Sequence, residues 1–257
     1  MCPKVSIITV VYNDVHNISR TVESIIGQSY SNLEYIVIDG DSVDGTKDVV
    51  KTYLSSIDVY ISEDDNGIYD AMNKGVSLSS GDWILFMNSG DVFYNGDVVS
   101  NIFCASIPLA SSLIYGDTIF RYDEKDVLTT YNSKKYKKNS LYKYMPSCHQ
   151  SIFCRREYLQ RLQFDTRYHI AADFDFFYRL HKINSNYFYV PIIISIYDAS
   201  QGLSSRNKLR CYKEIMKIKE PYYLYLLLVL LAYVKYIVKN ICNEKSDVGI
   251  WDSSGGN

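Results

Sequence analysis

The sequence of 257 residues contains little proline and glycine and has no paired cysteines. With only 5 Pro and 13 Gly, it has little room for a low-complexity linker. The 6 Cys are scattered, with no Cys-x-x-Cys pair and no histidine at zinc-finger spacing, which argues against structural zinc and cysteine catalysis. The first residues lack a charged-then-apolar signal segment. These absences together predict a reducing, cytoplasmic location without secretion.

Two common nucleotide-binding signatures are also missing. No Gly-x-Gly-x-x-Gly follows the first apolar run, Val5–Tyr12, and no Gly-x-x-x-x-Gly-Lys-Ser/Thr occurs in the sequence. The first absence argues against a dehydrogenase, and the second argues against a P-loop enzyme. A nucleotide bound by this chain must therefore be held in another way.

The sequence does have a globular composition with an uneven distribution of charge. Hydrophobic residues make up 47% and charged residues 22%, which excludes disordered, collagen-like and coiled-coil proteins. Residues 1–205 contain 18 Lys/Arg and 24 Asp/Glu, whereas residues 206–240 contain 8 Lys/Arg and 2 Asp/Glu. An acidic body with a basic, apolar tail indicates contact with anionic lipid rather than nucleic acid.

Apolar periodicity predicts an α/β protein. Over the first 90 or so residues, β-rich runs alternate with helical patterns in units of about 25 residues, which favours a wound, mostly parallel sheet flanked by helices. Strands are predicted at 5–12, 33–38, 59–61 and 83–87, and helices at 18–26 and 68–78. A further helix is predicted after Ser42, with Val49, Val50, Tyr53 and Leu54 on its inner face. Beyond residue 91 we predict helices near 96–105, 155–162 and 173–183, strands at 112–117 and 151–153, a hairpin around 118–132, a loop at 134–138 and a β-rich segment at 187–197.

Polar and acidic residues follow each of the four early strands. In a wound sheet, ligands bind at the carboxyl ends of the strands, where the strand order reverses. Clustered carboxylates would repel an anionic ligand unless a divalent cation lies between them, so the pattern favours a Mg²⁺ or Mn²⁺ diphosphate site. The alternative is that these residues only cap the following helices, which would explain Asp44 and Asp41.

Three segments of the sequence form a combined motif: Val5–Asn13 followed by Ile36–Thr46, then Ser62–Gly75, and then the strand that ends in Asn88–Asp91. Together they resemble glycosyltransferase family 2, a family of inverting enzymes with the Rossmann-like GT-A fold. The resemblance covers residues 3–205 and depends on the combined spacing, because each piece alone is weak. It implies a GT-A sheet with a C-terminal helical extension.

The resemblance implies that seven residues bind the donor nucleotide-sugar. Asp39 would hydrogen-bond the nucleobase, which the resemblance implies is uracil. The others are Thr9, Val11 and Tyr12, which would line the base and ribose pocket, Asp70 and Asn73, which share a helix face and would meet the sugar or phosphates, and Asn88 in the metal motif.

The metal motif of the family falls on Asn88–Asp91 but departs from the usual pattern. Asn88 and Gly90 occupy positions where carboxylates are common, so Asp91 is the sole charged ligand. A neutral Asn oxygen can still coordinate Mg²⁺ or Mn²⁺. The resemblance therefore implies one of these two ions as cofactor.

The second half of the sequence contains the candidate catalytic base. The segment His169–Asp175 resembles the family segment whose acidic residue deprotonates the acceptor hydroxyl, and this role maps onto Asp173. Asp175 is near enough to compete for the role. A plain helix cap is the alternative explanation for Asp173.

Three further residues are candidates for contacts with the acceptor or the diphosphate. His149 matches a recurring family segment near the acceptor cleft, although a buried, hydrogen-bonded histidine is an equal alternative. Arg155 is a candidate phosphate partner, although paired surface arginines are commoner. Gly202 lies in a segment that resembles a loop closing over the donor.

The predicted organisation is one catalytic domain followed by a tail. Residues 1–205 form the GT-A domain, with a nucleotide-sugar half at 1–91 and an acceptor half at 92–205. Residues 206–241 form a basic, apolar helical tail, and residues 242–257 form a flexible terminus. The apolar core of the tail at 224–234 is shorter than the roughly 20 residues of a spanning helix. A helix in the membrane surface, a core helix that closes the domain, and a true span all remain open.

The predicted function is inverting transfer of a sugar from a UDP-sugar to a glycan or polyprenyl-diphosphate-linked acceptor in bacterial surface polysaccharide synthesis. The enzyme would be cytoplasmic and peripheral at the inner face of the cell membrane, held there by residues 206–241, and would not bind nucleic acid. One alternative is a catalytically inactive, membrane-docked GT-A scaffold. The other is a sugar nucleotidyltransferase, which the absence of a Gly-rich loop after the first strand disfavours.

Overall fold

The computed structural model describes residues 2–104, 106–122, 125–129, 145–199, 207–218 and 230–235. The predicted loop at 134–138 and terminus at 242–257 lie outside these residues, as does Gly202. Contacts within the chain separate two units, Met1–Asn207 and Lys208–Asn257.

The first unit begins with three strand–helix units and a fourth strand. Every residue of the first strand is buried, which explains why its sequence shows no polar alternation: helices cover both faces of the sheet. The elements are β1 (Val5–Val11), α1 (Ile18–Ile26), β2 (Leu33–Asp39), α2 (Thr46–Lys51), a 3₁₀ turn (Leu54–Ser56), β3 (Val59–Ser62), α3 (Ile68–Leu78) and β4 (Trp83–Phe86).

The remaining strands extend the same sheet. They are β5 (Val92–Phe93), β6 (Leu113–Tyr122), β7 (Lys125–Thr129), β8 (Ile152–Arg155) and β9 (Tyr187–Asp198), with helices α4 (Val98–Phe103), α5 (Arg156–Leu162) and α6 (Ala172–Ile183) and a 3₁₀ turn (His149–Ser151). The strand order is β3-β2-β1-β4-β8-β6-β9-β5, and β7 pairs with β6. The strands β1 to β4 pair in parallel, and β8 lies antiparallel between β4 and β6.

Helices cover both faces of the sheet. Ile18, Val22 and Ile25 of α1 pack on one face together with α4. Met72 and Val76 of α3 pack on the other face together with α5 and α6. The predicted wound sheet flanked by helices is confirmed.

Two details differ from the predicted elements. Strand β5 was not predicted, because its two residues are too few to show a period, and only antiparallel pairing with β9 defines it. The helix predicted after Ser42, with Tyr53 and Leu54 on its inner face, ends already at Lys51, and a separate 3₁₀ turn follows at Leu54–Ser56.

A buried carboxylate joins three segments at the amino end of the sheet. Glu34 of β2 accepts hydrogen bonds from Lys4 Nζ (2.8 Å), Ser6 Oγ (2.6 Å) and the Ser80 backbone N–H (2.8 Å). Burial alone would raise the pKa of Glu34, but these donors lower it from 4.5 to about 2. This network is structural, because it lies at the end of the sheet where the strands begin.

The second unit is described in two pieces. Helix α7 (Lys208–Ile218) exposes Leu209 and Tyr212, and Arg210 pairs with Glu214 at 3.3 Å. Residues 230–235 are also helical. Among the described residues, no helix is both long enough and apolar enough to cross a membrane.

Candidate functional site

The strand order reverses beside β1, because β2 and β3 lie on one side of it and β4 on the other. A crevice at the carboxyl ends of β1 and β4 is where a wound sheet binds its ligand. Val11 at the end of β1 pairs with Asp39 at the end of β2, and Ile8 pairs with Phe86 at the end of β4. The polar residues that follow these strands therefore meet at one edge.

Asp39 is the buried carboxylate of this edge. Its Oδ2 accepts hydrogen bonds from the Ser42 backbone N–H (3.1 Å) and from Ser62 Oγ (2.6 Å), and its exposed fraction is 0%. Within the described part of the chain, its Oδ1 is buried without a hydrogen-bond partner. A buried acceptor left unpaired costs about 1–3 kcal/mol. This oxygen is therefore suited to accept a hydrogen bond from a ligand.

Tyr12 supplies a flat surface near Asp39. Its side chain is 66% exposed. A methyl group on the neighbouring Gly40 would lie 3.3 Å from the Tyr12 ring and 2.6 Å from Asp65 Oδ2. Glycine at position 40 thus lets the side chains of Tyr12 and Asp65 approach the backbone directly after Asp39. At this position the Tyr12 ring can stack on a planar ligand.

The side chains of Thr9 and Val11 face the protein interior and do not line an open pocket. Thr9 Oγ1 donates to the Met87 carbonyl at 2.8 Å and accepts from the Tyr35 hydroxyl at 3.1 Å. Val11 belongs to the hydrophobic core. Both residues were predicted to line the base pocket, but covering helices bury the side chains of β1 on both faces, so their position in the strand does not expose them.

The turn after β4 holds Asp91 in a buried position. Asp91 Oδ2 accepts from Gln150 Nε2 at 2.8 Å, and Oδ1 accepts from the Asp198 backbone N–H at 3.1 Å. Burial raises the pKa of Asp91 to about 6. Its two N–H partners, on the 3₁₀ turn before β8 and at the end of β9, tie the turn after β4 to two segments that follow much later in the sequence.

Helix α1 fixes the backbone of the same turn. Thr21 Oγ1 donates to the Asp91 carbonyl at 2.8 Å and accepts from the Gly90 backbone N–H at 3.0 Å. Arg20 donates to the Gly90 carbonyl. Gly90 has φ of 96°, which a residue with a side chain adopts only with strain. The glycine at this position is thus explained by the shape of the turn.

The donor set around Asp91 fits a hard divalent cation that is held mainly by substrate phosphates. Asn88 Oδ1 is buried and has no hydrogen-bond partner among the described residues. An amide oxygen and one carboxylate are the oxygen ligands that Mg²⁺ combines with phosphates. The described ranges contain no cluster of three or more His, Cys, Asp or Glu side chains that could hold a metal ion by themselves.

One imidazole connects the turn after β4 to the candidate base. His149 Nε2 lies 3.1 Å from Asn88 Nδ2, and His149 Nδ1 lies 3.2 Å from Asp173 Oδ2. A neutral imidazole with its proton on Nδ1 donates to the carboxylate and accepts from the Asn88 amide, which satisfies both contacts. Asp173 Oδ1 also accepts from the Phe174 backbone N–H at 2.7 Å. Three segments that are distant in sequence therefore converge here: the turn after β4, the 3₁₀ turn before β8 and the start of α6.

Tyr69 also contacts Asp173, a role that the sequence did not reveal. Its hydroxyl lies 2.8 Å from the Ile170 carbonyl and 3.2 Å from Asp173 Oδ1. Tyr69 directly precedes Asp70 in the motif that carries the family resemblance. Proximity to that motif was the available clue, but only the fold brings the first turn of α3 against the start of α6.

The two donor-site candidates on α3 are occupied by contacts within the protein. Asp70 Oδ2 accepts from the Asn66 backbone N–H at 3.0 Å and lies 3.8 Å from Lys74 Nζ, an arrangement that caps the helix. Asn73 donates to the Phe164 carbonyl and accepts from the Phe164 N–H, both at 2.9 Å. Asn73 therefore does not point into the donor site as predicted, because both ends of its amide bind a backbone segment that is distant in sequence.

Arg155 is far from the candidate phosphates. It pairs with Trp83 at the amino end of β4, opposite the end that carries Asn88 and Asp91. Its guanidinium donates to the carbonyls of Ser111 (3.0 Å) and Leu109 (3.1 Å) and lies 4.5 Å from the Trp83 ring. The prediction of a diphosphate contact is thus wrong, because β8 runs antiparallel to β4 and ends at the opposite edge of the sheet.

Asp175 does not compete with Asp173 for the role of base. It is buried and pairs with Arg179 at 2.7 Å. Burial raises the pKa of Asp175, and the Arg179 guanidinium offsets part of that effect. Asp173 is thus the carboxylate of this segment that contacts His149 and the site.

Comparisons with known proteins identify the family of this chain. The family model described as "Glycosyl transferase family 2" matches residues 6–163. A PGL/p-HBAD biosynthesis glycosyltransferase of Mycobacterium bovis is 29% identical over 212 residues, which cover 79% of this chain and 80% of the relative. An uncharacterised glycosyltransferase of Mycobacterium tuberculosis is 44% identical over 103 residues, which cover 38% of each chain.

Two solved structures share the fold. TarS of S. aureus (residues 1–349) superposes with a TM-score of 0.66 at 16% identity, covering 84% of this chain. This chain spans 64% of the length of that TarS chain. The mannosyltransferase PcManGT of Pyrobaculum calidifontis, solved with GDP-Man and Mn²⁺, superposes with a TM-score of 0.65 at 15% identity, covering 91% of this chain and 69% of its own. The family match extends over more than half of the sequence, and the chain belongs to glycosyl transferase family 2 as a glycosyltransferase with the GT-A fold.

Proposed function

We propose that this protein transfers a sugar from a UDP-sugar to an acceptor hydroxyl with inversion of the anomeric carbon, and that Asp173 is the catalytic base. The observation that carries the proposal is the chain of contacts from Asn88 through His149 to Asp173, with distances of 3.1 and 3.2 Å. It supports a site in which the donor phosphates lie beside Asn88, the acceptor hydroxyl lies beside Asp173, and the His149 imidazole lies between them.

Asp39 supports a uracil nucleotide over a guanine nucleotide. Uracil presents a single N–H between two carbonyls, whereas guanine presents two adjacent N–H donors on its Watson–Crick edge. Asp39 Oδ2 already accepts from Ser42 and Ser62, so its Oδ1 alone is available for a base. One available oxygen matches the single donor of uracil. Among the fold relatives, TarS has been solved with UDP-GlcNAc and PcManGT with GDP-Man.

In the proposed reaction, Asp173 accepts the proton of the acceptor hydroxyl as that oxygen attacks the anomeric carbon. The new C–O bond forms on the face opposite the leaving UDP, and the old C–O bond breaks with its electron pair on the diphosphate. Asp91 and Asn88 would hold Mg²⁺ or Mn²⁺, which supplies positive charge beside the leaving phosphate when bound.

Asp173→Asn tests the base against the helix-cap alternative. The change keeps the shape of the side chain but removes the basic oxygen, and we expect kcat for UDP release in the presence of acceptor to fall at least about 100-fold with donor KM unchanged. Asp48→Asn is the matched control, because Asp48 is also an acidic residue in the first turn of a helix. If both variants keep near-normal turnover, Asp173 is only a cap and the proposed role is wrong.

Asp39→Ala tests the nucleobase contact. We expect the affinity for UDP to fall at least about tenfold, because the base loses its acceptor and the backbone of Ser42 loses a partner. Calorimetry with UDP and GDP on the wild type measures the preference directly. Tighter binding of GDP than of UDP would overturn the assignment of uracil.

We further propose that the acceptor is a glycan or polyprenyl-diphosphate-linked glycan of bacterial surface polysaccharide synthesis, met at the inner membrane face through residues 206–241. Helix α7 supports this location, because Lys208, Arg210, Lys213 and Lys217 are exposed together with Leu209 and Tyr212.

Vesicle co-sedimentation tests the membrane contact. The full chain should pellet with phosphatidylglycerol vesicles and not with phosphatidylcholine vesicles. Replacement of Lys208, Lys213 and Lys217 by Gln should abolish pelleting, because each basic residue near an anionic surface contributes about 1 kcal/mol. The matched control replaces three exposed lysines outside the tail, Lys51, Lys125 and Lys182, by Gln. Equal pelleting of the two triple variants would contradict a contact through α7.

A catalytically inactive, membrane-docked scaffold is the second candidate. It is favoured by the single carboxylate of the turn after β4 and by the engagement of both Asp91 oxygens with N–H donors. Calorimetry with UDP in Mn²⁺ and in EDTA distinguishes the two, since an enzyme that needs the ion should bind UDP more weakly in EDTA. A scaffold should give no metal-dependent heat and no UDP release.

A further inference from the structure

The carboxylate of Asp173 is held from two sides. His149 Nδ1 contacts Oδ2 at 3.2 Å, and on Oδ1 the Phe174 N–H lies at 2.7 Å and the Tyr69 hydroxyl at 3.2 Å. A carboxylate has about four lone-pair positions, so an acceptor hydroxyl can still donate to it. Contacts on both oxygens fix the rotation of the carboxylate plane, which determines where its basic lone pairs point.

We propose that Tyr69 is a positioning residue for Asp173, an inference that rests on the proposed function because it assigns Tyr69 through the base. Tyr69 lies in the first turn of α3, and Asp173 lies in the first turn of α6. The single O–H of Tyr69 is shared between two acceptors, the carbonyl of Ile170 at 2.8 Å and the carboxylate of Asp173, three residues later, at 3.2 Å. Tyr69 therefore holds the side chain of the base and the backbone that leads to it.

The position of the Tyr69 hydroxyl is itself determined by packing. The ring is buried in the hydrophobic core under α3, and it packs against Phe164 with a centroid distance of 5.5 Å. Phe164 is held by Asn73 of the same helix through two backbone hydrogen bonds of 2.9 Å. A buried aromatic ring with few rotamers places its hydroxyl with little freedom. The hydroxyl can thus restrict the Asp173 side chain to one rotamer through its contact with Oδ1.

A positioning role predicts a loss of rate rather than of donor binding. Tyr69→Phe keeps the packed ring and removes only the hydroxyl. Because a reacting group that is misplaced by about 1 Å can lose about 100-fold in rate, we expect kcat to fall by about ten- to 100-fold. Donor KM and the affinity for UDP should stay within about twofold of the wild type, because Tyr69 contacts neither Asp39 nor Asp91 among the contacts described for it.

Tyr30→Phe is the matched control. Tyr30 is buried to the same extent as Tyr69, with 7% exposure for each, and its hydroxyl also donates to a backbone carbonyl, that of Pro3 at 2.6 Å. Pro3 precedes β1 at the opposite end of the strand from the site. Each variant removes one hydroxyl that donates to a backbone carbonyl, so urea unfolding should show similar losses of stability. Only Tyr69→Phe should lose kcat.

The double variant Tyr69→Phe/Asp173→Asn completes the test. If Tyr69 acts through Asp173, removing its hydroxyl should cost nothing further once the base is gone, and the double variant should match Asp173→Asn in kcat. Additive losses would overturn the inference. Normal kcat in Tyr69→Phe together with an inactive Asp173→Asn would overturn it as well and leave the proposed function intact. Normal turnover in Asp173→Asn would instead remove the proposed base, and the inference with it.

Discussion

Arg155 stabilises the amino end of β4 through contacts within the protein, and these contacts explain its position without a ligand. Its guanidinium binds two backbone carbonyls and covers the ring of Trp83. A guanidinium over an indole ring contributes about 0.5–2 kcal/mol, and hydrogen bonds from a charged donor contribute about 1.5–3 kcal/mol. The chemistry that makes arginine suitable for phosphates also makes it suitable for this corner of the fold.

Arg155→Ala should therefore destabilise the protein without changing catalysis. We expect the free energy of unfolding in urea to fall by about 2 kcal/mol, with kcat and donor KM within about twofold of the wild type. Arg161→Ala, on the exposed side of α5, is the control and should change neither quantity. A tenfold rise in donor KM for Arg155→Ala, with stability unchanged, would instead support the phosphate contact that the sequence predicted for Arg155.

At the scale of elements, helix α3 does more than cover the sheet. Gly75 brings it close to β1, where a methyl group would lie 2.6 Å from Ile8. Its first turn carries Tyr69 toward α6, and its middle carries Asn73 toward the segment after α5. One helix thus connects the core of the sheet with the segment after α5 and with α6, the helix that carries the candidate base.

Asn73→Ala should break that connection and lower stability. The change leaves the backbone N–H and carbonyl of Phe164 without their side-chain partners, so we expect the free energy of unfolding to fall by about 2–3 kcal/mol. Ser77→Ala on the exposed face of the same helix is the control and should cost less than about 0.5 kcal/mol. Loss of UDP affinity in Asn73→Ala without loss of stability would favour the role in donor binding that the sequence predicted.

The elements could be predicted because their signals are local. The apolar run of β1 and the helical spacing of Ile18, Val22 and Ile25 depend only on neighbours in the sequence. The roles of individual side chains depend on distant partners and could not be predicted in the same way. Asn73 and Phe164 are 91 residues apart, and the antiparallel direction of β8, which moves Arg155 away from the site, is absent from any local pattern.

At the scale of the whole molecule, Glu34 makes folding sensitive to acid. Its pKa is about 2 in the folded protein and 4.5 without those contacts. The folded state therefore gains stability from the ionised carboxylate above pH 4.5, and this gain is lost as the pH falls toward 2. The network with Lys4, Ser6 and Ser80 thus favours the native state at neutral pH.

Glu34→Gln should remove this contribution. At pH 7 we expect the variant to be about 2 kcal/mol less stable than the wild type in urea unfolding, because Gln keeps only one acceptor oxygen, carries no charge to pair with Lys4, and turns an NH2 group toward the remaining donors. The difference between the two proteins should shrink as the pH falls toward about 2 to 3. Glu157→Gln, in the first turn of α5, is the control. A gap that stays constant with pH would show that the charge of Glu34 has no part in it.

The antiparallel strand β8 has a consequence for how the molecule can be rebuilt. Cys154 of β8 pairs with Ile84 of β4 on one side and with Leu113 of β6 on the other. Strands β4 and β8 are therefore neighbours inside the sheet, although the predicted boundary at residue 91 separates them in the sequence. A chimera that joins residues 1–91 of one relative to the remainder of another would pair β4 of one protein with β8 of the other. If the two strands pair poorly, their edges are exposed, and exposed strand edges promote aggregation. Crossovers for recombining donor and acceptor preferences therefore belong in the connections between strands, with β4 and β8 inherited from a single parent.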